Sequence, residues 1–135
     1  MKHILALAFL FTGFSVFAQE TEEQQKEPVF QVVETMPQFP GGKVELVKFL
    51  QKNMVYPEQD RKDGREGKVY LQFIVEKDGS VTEVTPIGKV YELATQAMVD
   101  ESMRLVNLMP KFEPGLQRGK PVRVKYLLPI SFKLN

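Results

Sequence analysis

The stretch KVYLQFIVEKDGSVTEV, residues 68–84, decides the fold of this chain. In its first half, large apolar residues recur at every second position, which is typical of a strand with one buried face; they are Val69, Leu71, Phe73 and Val75. Asp78-Gly79 follows, and tight hairpins favour this dipeptide in their turns. The stretch therefore predicts an antiparallel hairpin whose second strand covers about residues 80–87. Pro86 indicates a bulge or a sheet edge near the end of that strand.

A longer strand is predicted from VRVKYLLPISFKL, residues 122–134. Apolar or aromatic residues occupy every second position from Val122 to Leu134, while the alternate positions are mostly polar. One face of this strand is therefore predicted to join the core and the other to face water. Pro129 has no N–H to donate to a neighbouring strand, so the strand, or its second half, is expected at a sheet edge.

Two helices are predicted from apolar residues at helical spacing. The first covers residues 43–54 with Gly42 as its N-cap, and its predicted apolar face consists of Val44, Leu46, Val47, Leu50 and Met54. The second covers residues 92–109 and ends before Pro110, and its predicted buried face consists of Met98, Ser102, Leu105, Val106 and Met109. One further helical turn is predicted from residues 57–64, and a short strand from residues 29–33.

The motif MPQFPGG, residues 36–42, is interpreted as the start of the fold. Its prolines favour an extended path, Phe39 is predicted to close one end of the core, and Gly41-Gly42 allow a turn into the first helix. An anion-binding loop is the weaker alternative, because the remaining residues of a P-loop are missing; a polyproline ligand is another. The similar MPKFEPG, residues 109–115, indicates a second approach of the chain to the same core.

The order helix, strand, strand, helix, strand predicts an α+β fold. We expect a two-layer domain in which helices pack on one face of a small antiparallel sheet of about three strands. Residues 1–18 are interpreted as a signal peptide cleaved before Gln19, and residues 19–28 as a polar tether. The predicted domain then covers residues 29–135. An uncleaved membrane anchor is the alternative for the N-terminus, although the apolar run is short for a membrane span.

Composition excludes several classes of function. Without residues 1–18 the chain has no His, Cys or Trp, which excludes nucleophilic sites that use His or Cys and zinc sites of the usual ligands. The loss of Lys2 leaves 17 basic residues against 17 acidic ones, so nucleic-acid binding is not expected. The adjacent carboxylates Asp100 and Glu101 are expected to face solvent rather than act in acid-base chemistry. The chain is therefore not expected to be an enzyme, and no cofactor is implied.

Several fragments, in this order and spacing, resemble the TonB C-terminal domain family; they are Tyr56-Pro57, Lys68 after Gly67, residues 75–81, residues 109–115, residues 119–124 and residues 130–132. The resemblance covers about residues 36–134. Phe112 stands where the family usually has Trp. TonB proteins couple an inner-membrane motor to outer-membrane transporters, and their C-terminal domain captures a transporter segment as an added strand.

The resemblance implies a periplasmic protein that binds an extended peptide of an outer-membrane transporter, or of another envelope protein, by strand addition. The last strand is the expected binding edge, with Asn53 as an additional contact; the candidate residues are Asn53, Arg123, Val124, Lys125, Tyr126, Leu127 and Leu128.

Two alternatives stay open at this point. A true energy transducer would need the uncleaved N-terminus and an inner-membrane motor as partner. The tether of ten residues spans at most about 35 Å, which is short for a crossing of the periplasm. A self-associating structural module would instead pair the exposed edge with a second copy and form a homodimer.

Overall fold

The computed structural model describes residues 27–88 and 93–135. The signal peptide predicted for residues 1–18 and the tether over residues 19–26 lie outside the described residues. The described elements are β1 (Val29–Phe30), α1 (Lys43–Asn53), α2 (Glu58–Lys62), β2 (Gly67–Val75), β3 (Val81–Pro86), α3 (Gln96–Asn107), β4 (Gly115–Gln117) and β5 (Lys120–Phe132). The α+β class predicted from the sequence is confirmed.

The sheet has the order β1-β5-β2-β3, and β4 forms a separate hairpin with β5. The predicted hairpin is β2–β3, and its register shifts by a bulge between Gln72 and Ile74. The described residues form five strands, against about three expected for the sheet. β1 lies within the short strand predicted at residues 29–33, whereas β4, of only three residues, was not predicted. β1 pairs parallel to β5, so the sheet is mixed. β4 lies in residues 110–121, a stretch rich in Pro and Gly.

The core lies between one sheet face and the helices. The predicted alternation of β2 is confirmed up to Phe73: Val69, Leu71, Phe73 and Val75 are fully buried, but Ile74 between the last two is buried as well. Phe39 is buried as expected and packs edge-on against Phe112 with ring centroids 5.6 Å apart. The two similar motifs meet there, because Gln38 and Glu113 exchange both backbone hydrogen bonds. These motifs are therefore two neighbouring strand-like approaches to one core.

Both main helices depart from prediction in one respect. In α1 the buried or half-buried side chains are Leu46, Phe49 and Leu50, whereas Val44 and Val47 are 66% and 45% exposed. The prediction that both valines face the core was therefore wrong. The helix α3 begins at Gln96, because the hydroxyl of Thr95 caps it by accepting a hydrogen bond from the N–H of Met98. The predicted start at residue 92 lies outside the described residues.

We predict that Gly79→Ala destabilises the domain by more than about 3 kcal/mol. Gly79 has φ +85°, which costs a residue with a Cβ about 1–2 kcal/mol. In addition, a Cβ there would lie 1.9 Å from the carbonyl oxygen of Phe112, so the backbone must move. Urea denaturation followed by circular dichroism measures the loss.

Gly119→Ala is the matched control. Gly119 lies in the β4–β5 turn with φ +72° and has no heavy atom within 4 Å of the position of a Cβ. We expect this variant to lose only the strain energy, about 1 kcal/mol. Equal losses in the two variants would show that the turn at Gly79 does not pack against Phe112 as described.

Candidate functional site

The candidate site is the outer edge of β5. β2 pairs with one edge of β5 from Val124 to Phe132, and β1 pairs with the other edge only at Arg123 and Val124. Among residues 27–88 and 93–135, no strand covers that other edge from residue 125 onward. The expectation that the second half of the last strand lies at a sheet edge is therefore confirmed.

The pairing also determines which backbone groups are free at this edge. The N–H of Ile87 donates to the carbonyl of Tyr70, so the backbone groups of Tyr70 face β3. Pro129 is paired with Tyr70 and must therefore face away from β2, because the backbone groups of successive residues point to opposite edges. The N–H of Lys125 points to this edge but is used by β1, because the parallel pairing of Phe30 with Val124 directs it to the carbonyl of Phe30. The groups left free are the N–H of Leu127 and Ser131, together with the carbonyls of Lys125, Leu127, Pro129 and Ser131.

A groove runs between this edge and α1 and contains two neighbouring cavities. The smaller cavity, of about 480 Å³, is lined by Phe39, Leu46, Tyr126 and Leu128 among others. The larger cavity, of about 660 Å³, is lined by Met54, Tyr56, Ile130 and Lys133 among others. Val47, Leu50 and Pro129 line both. The groove therefore has one wall of helix and one wall of free strand.

The groove is apolar inside and basic at its ends. Lys43 belongs to the smaller cavity and Lys133 to the larger one, and no Asp or Glu side chain of the described segments lines either. Within those same segments, Lys43, Lys125 and Lys133 form no ion pair. Leu127 is 58% exposed beside them. An extended chain with apolar and acidic side chains would match this surface.

The structure divides the residues predicted from the sequence into two groups. Lys125 and Leu127 present their backbone to the open edge, and the side chains of Tyr126 and Leu128 line the smaller cavity. Burial raises the pKa of Tyr126, which stays a neutral phenol at the groove wall. Val124 is fully buried in the core.

Asn53 and Arg123 lie apart from the groove. The amide of Asn53 donates to the carbonyl of Phe49 at 2.8 Å and so closes the end of α1. Arg123 donates three hydrogen bonds to Glu76, at 2.8, 2.9 and 3.2 Å, and a fourth to the carbonyl of Glu27 at 2.8 Å. Its side chain is only 11% exposed. Arg123 therefore joins β5 to the β2–β3 hairpin and to Glu27, two residues before β1.

Sequence reasoning missed the wall of the groove opposite β5, which is formed by Val47 and Leu50 of α1 and by Met54 and Tyr56 in the segment that follows the helix. The available indication was the width of the apolar face of α1. Five apolar residues were assigned to it, but Val44 and Val47 are exposed. Val47 lines both cavities, whereas Val44 lines neither. No group of metal-ligating side chains is found in the part of the chain that the structure describes. Its helices are all too short or too polar to cross a membrane.

We predict that Glu76→Gln lowers the stability of the domain by about 2 kcal/mol at neutral pH, because hydrogen bonds to a charged partner are lost. The hydrogen bonds from Arg123 hold the pKa of Glu76 below its ordinary value of 4.5. The contribution of Glu76 is therefore complete above pH 4.5 and disappears as the pH falls through the lower folded-state pKa. Urea denaturation between pH 7 and pH 3 measures it.

The wild type should lose stability more steeply than Glu76→Gln below pH 4.5, since the variant lacks this titrating group. Glu58→Gln is the control, because Glu58 forms only an exposed ion pair with Lys62. Parallel stability curves of the wild type and Glu76→Gln would contradict the assignment of Arg123 to this ion pair.

Comparison with known proteins supports one family. The family described as Gram-negative bacterial TonB protein C-terminal matches residues 52–134. No curated protein matches the chain. A solution structure of the Pseudomonas aeruginosa TonB C-terminal domain is 24% identical and matches 61% of this chain and 79% of its own, with a TM-score of 0.49. A Helicobacter pylori TonB C-terminal domain is 22% identical and matches 67% of this chain and 90% of its own, with a TM-score of 0.46. Because the family match covers more than half of the sequence, the chain belongs to the TonB C-terminal domain family.

Proposed function

We propose that this protein binds an extended peptide segment of an envelope protein, of the outer-membrane transporter type, by adding it as a strand to the outer edge of β5. The observation that carries this proposal is the open edge from residue 125 to residue 132 beside the α1 groove. Strand addition satisfies the free backbone groups of both partners. Membership of a family involved in the energy coupling of transport supports a role linked to transmembrane transport. The periplasm is the proposed location.

The open edge determines the length of the ligand and the spacing of its apolar side chains. Residues 125–133 correspond to about 26 Å at about 3.3 Å per residue, so a segment of about eight residues fits. Opposed side chains in neighbouring strands lie on the same face of a sheet. Ligand side chains opposite Leu128 and Ile130 would therefore point toward α1 and enter the two cavities. The ligand should be apolar at these alternate positions.

The lysines near the groove further restrict the expected sequence of the ligand. Lys43 and Lys133 line the two cavities and Lys125 lies on the open edge of β5, and none of the three has an ion-pair partner in the described segments. Acidic residues near the ends of the ligand would meet these cations, and the interaction would weaken with added salt. In this proposal Arg123 and Val124 hold the sheet at the start of the open edge. Asn53 acts through the end of α1.

Self-association through the same edge is disfavoured. An antiparallel pair of β5 edges centred on Pro129 would place Lys125 opposite Lys133 of the second copy. Like charges in directly opposed positions destabilise a sheet, and lysines on an edge commonly prevent such pairing. Two prolines would also face each other without an N–H between them. A foreign peptide avoids both costs, so we propose the peptide rather than a homodimer.

We predict that Leu127→Pro weakens peptide binding at least about fivefold while the domain stays folded. The N–H of Leu127 faces the open edge, so its loss removes a bond to the ligand and none to β2. One hydrogen bond contributes about 1 kcal/mol, and the ring adds a steric obstacle. The probe is a fluorescent peptide of about nine residues in which valine alternates with threonine and each end carries one glutamate. Fluorescence anisotropy measures the binding.

Leu127→Thr is the matched control, because it shortens the side chain but keeps the N–H. It should lose less affinity than Leu127→Pro. Circular dichroism and urea denaturation establish that both variants are folded. A folded Leu127→Pro protein that binds the probe as tightly as the wild type would exclude strand addition at this edge.

A further inference from the structure

The helix α3 carries a buried carboxylate, that of Glu101, which lines neither cavity of the groove. The adjacent residues Asp100 and Glu101 were both expected to face solvent. Asp100 does, and it accepts a hydrogen bond only from Gln96 of its own helix. Glu101 is 9% exposed, and its carboxylate points toward the segment that leaves α1. The expectation was wrong for Glu101 because its side chain has partners on another element.

Glu101 and Arg104 together hold both peptide groups that flank Met54. The carboxylate of Glu101 accepts the N–H of Val55 at 2.8 Å. The guanidinium of Arg104 donates to the carboxylate of Glu101 and, at 2.8 Å, to the carbonyl of Asn53. The carbonyl of Asn53 belongs to the peptide group before Met54, and the N–H of Val55 belongs to the one after it. The pair therefore fixes the backbone of Met54 from the neighbouring helix.

The segment held in this way forms part of the groove. Met54 has an extended backbone, with φ −66° and ψ 130°. Side chains alternate along an extended segment, so Val55 points outward and is 64% exposed, while Met54 and Tyr56 line the larger cavity. The ring of Tyr56 also packs edge-on against Phe132 of β5, with centroids 5.8 Å apart. The shape of the larger cavity thus depends on a contact made from α3.

The charges of this pair persist at neutral pH. Burial by itself would raise the pKa of Glu101, but the hydrogen bonds from Arg104 and from the N–H of Val55 outweigh burial and hold it below its ordinary value. A planar guanidinium can contact the carboxylate and the carbonyl of Asn53 together, whereas the ammonium of a lysine at this position cannot reproduce both contacts in the same geometry.

We propose that Glu101 and Arg104 are positioning residues of the peptide groove, which set the place of Met54 and thereby the fit of the ligand side chain that lies beside Ile130. This inference rests on the proposed peptide-binding function. The alternative is that the pair only stabilises the domain. A test must therefore include a readout at Met54 that general loosening would not reproduce.

The experiment compares the full chain with its Glu101→Gln variant, and Asp100→Asn serves as the matched control on the same helix. Methionine methyl groups are labelled with ¹³C, and NMR spectra are recorded with and without the valine–threonine probe. We expect Glu101→Gln to shift the methyl resonance of Met54 and to weaken probe binding about three- to tenfold. The resonance of Met98, which is fully buried against the core, should stay unchanged. Asp100→Asn should change neither resonance nor affinity.

Three results would overturn the inference. One is an unshifted Met54 resonance with unchanged affinity in Glu101→Gln. Another is an equal shift of Met54 and Met98, which would indicate general loosening. The third is an Asp100→Asn variant that behaves like Glu101→Gln. If Glu101→Gln does not fold, Arg104→Lys replaces it, because the side chain of Arg104 is 44% exposed. A wild-type chain that fails to bind the probe would contradict the proposed function, while the Met54 resonance would still test the positioning.

Discussion

The antiparallel pairing of β2 with β5 is the constraint on which the rest of the structure depends. It runs in one register from Gly67 opposite Phe132 to Val75 opposite Val124. This register places the apolar side chains of both strands on the helix side. A slip by one residue would expose all of them, so the register is strongly specified. The same register turns the backbone of Lys125, Leu127 and Ser131 away from β2. The β2–β5 register therefore determines both which side chains form the core and which backbone groups face the open edge.

The helix α1 turns that edge into a binding groove. Leu46, Phe49 and Leu50 attach the helix to the core, and Val44 and Val47 remain outside it. Burying the exposed part of Val47, which lines both cavities, would contribute about 1 kcal/mol on binding. The wall that faces the sheet continues into Met54 and Tyr56. Side chains of α3 hydrogen-bond to the peptide groups on either side of Met54. A ligand would thus meet a strand edge fixed by β2 and a wall fixed by two helices. Both walls of the groove are already in place before a peptide binds. The protein therefore loses little conformational entropy on binding.

Much of this fold could be predicted from the sequence because it follows from local patterns of residues. Period-two alternation located β2 and β5, Asp78-Gly79 located the turn of the β2–β3 hairpin, and Pro129 indicated an edge. The features that could not be predicted depend on contacts between distant residues. β4 exists because it pairs with β5 and not because of its own three residues. Arg123 is drawn to Glu76, and Glu101 to Val55, by partners 47 and 46 positions away. For such side chains, the sequence shows the charge but not the partner toward which the side chain points.

Hydrogen exchange of the β5 backbone amides, measured by NMR with and without the probe peptide, tests the central claim most directly. We expect Tyr126, Leu128 and Ile130 to exchange slowly in the free protein, because β2 holds their N–H groups. Leu127 and Ser131 should exchange quickly and become protected when the peptide binds. Outward amides that are already protected in the free protein, or that stay unprotected when the peptide is bound, would contradict strand addition at this edge.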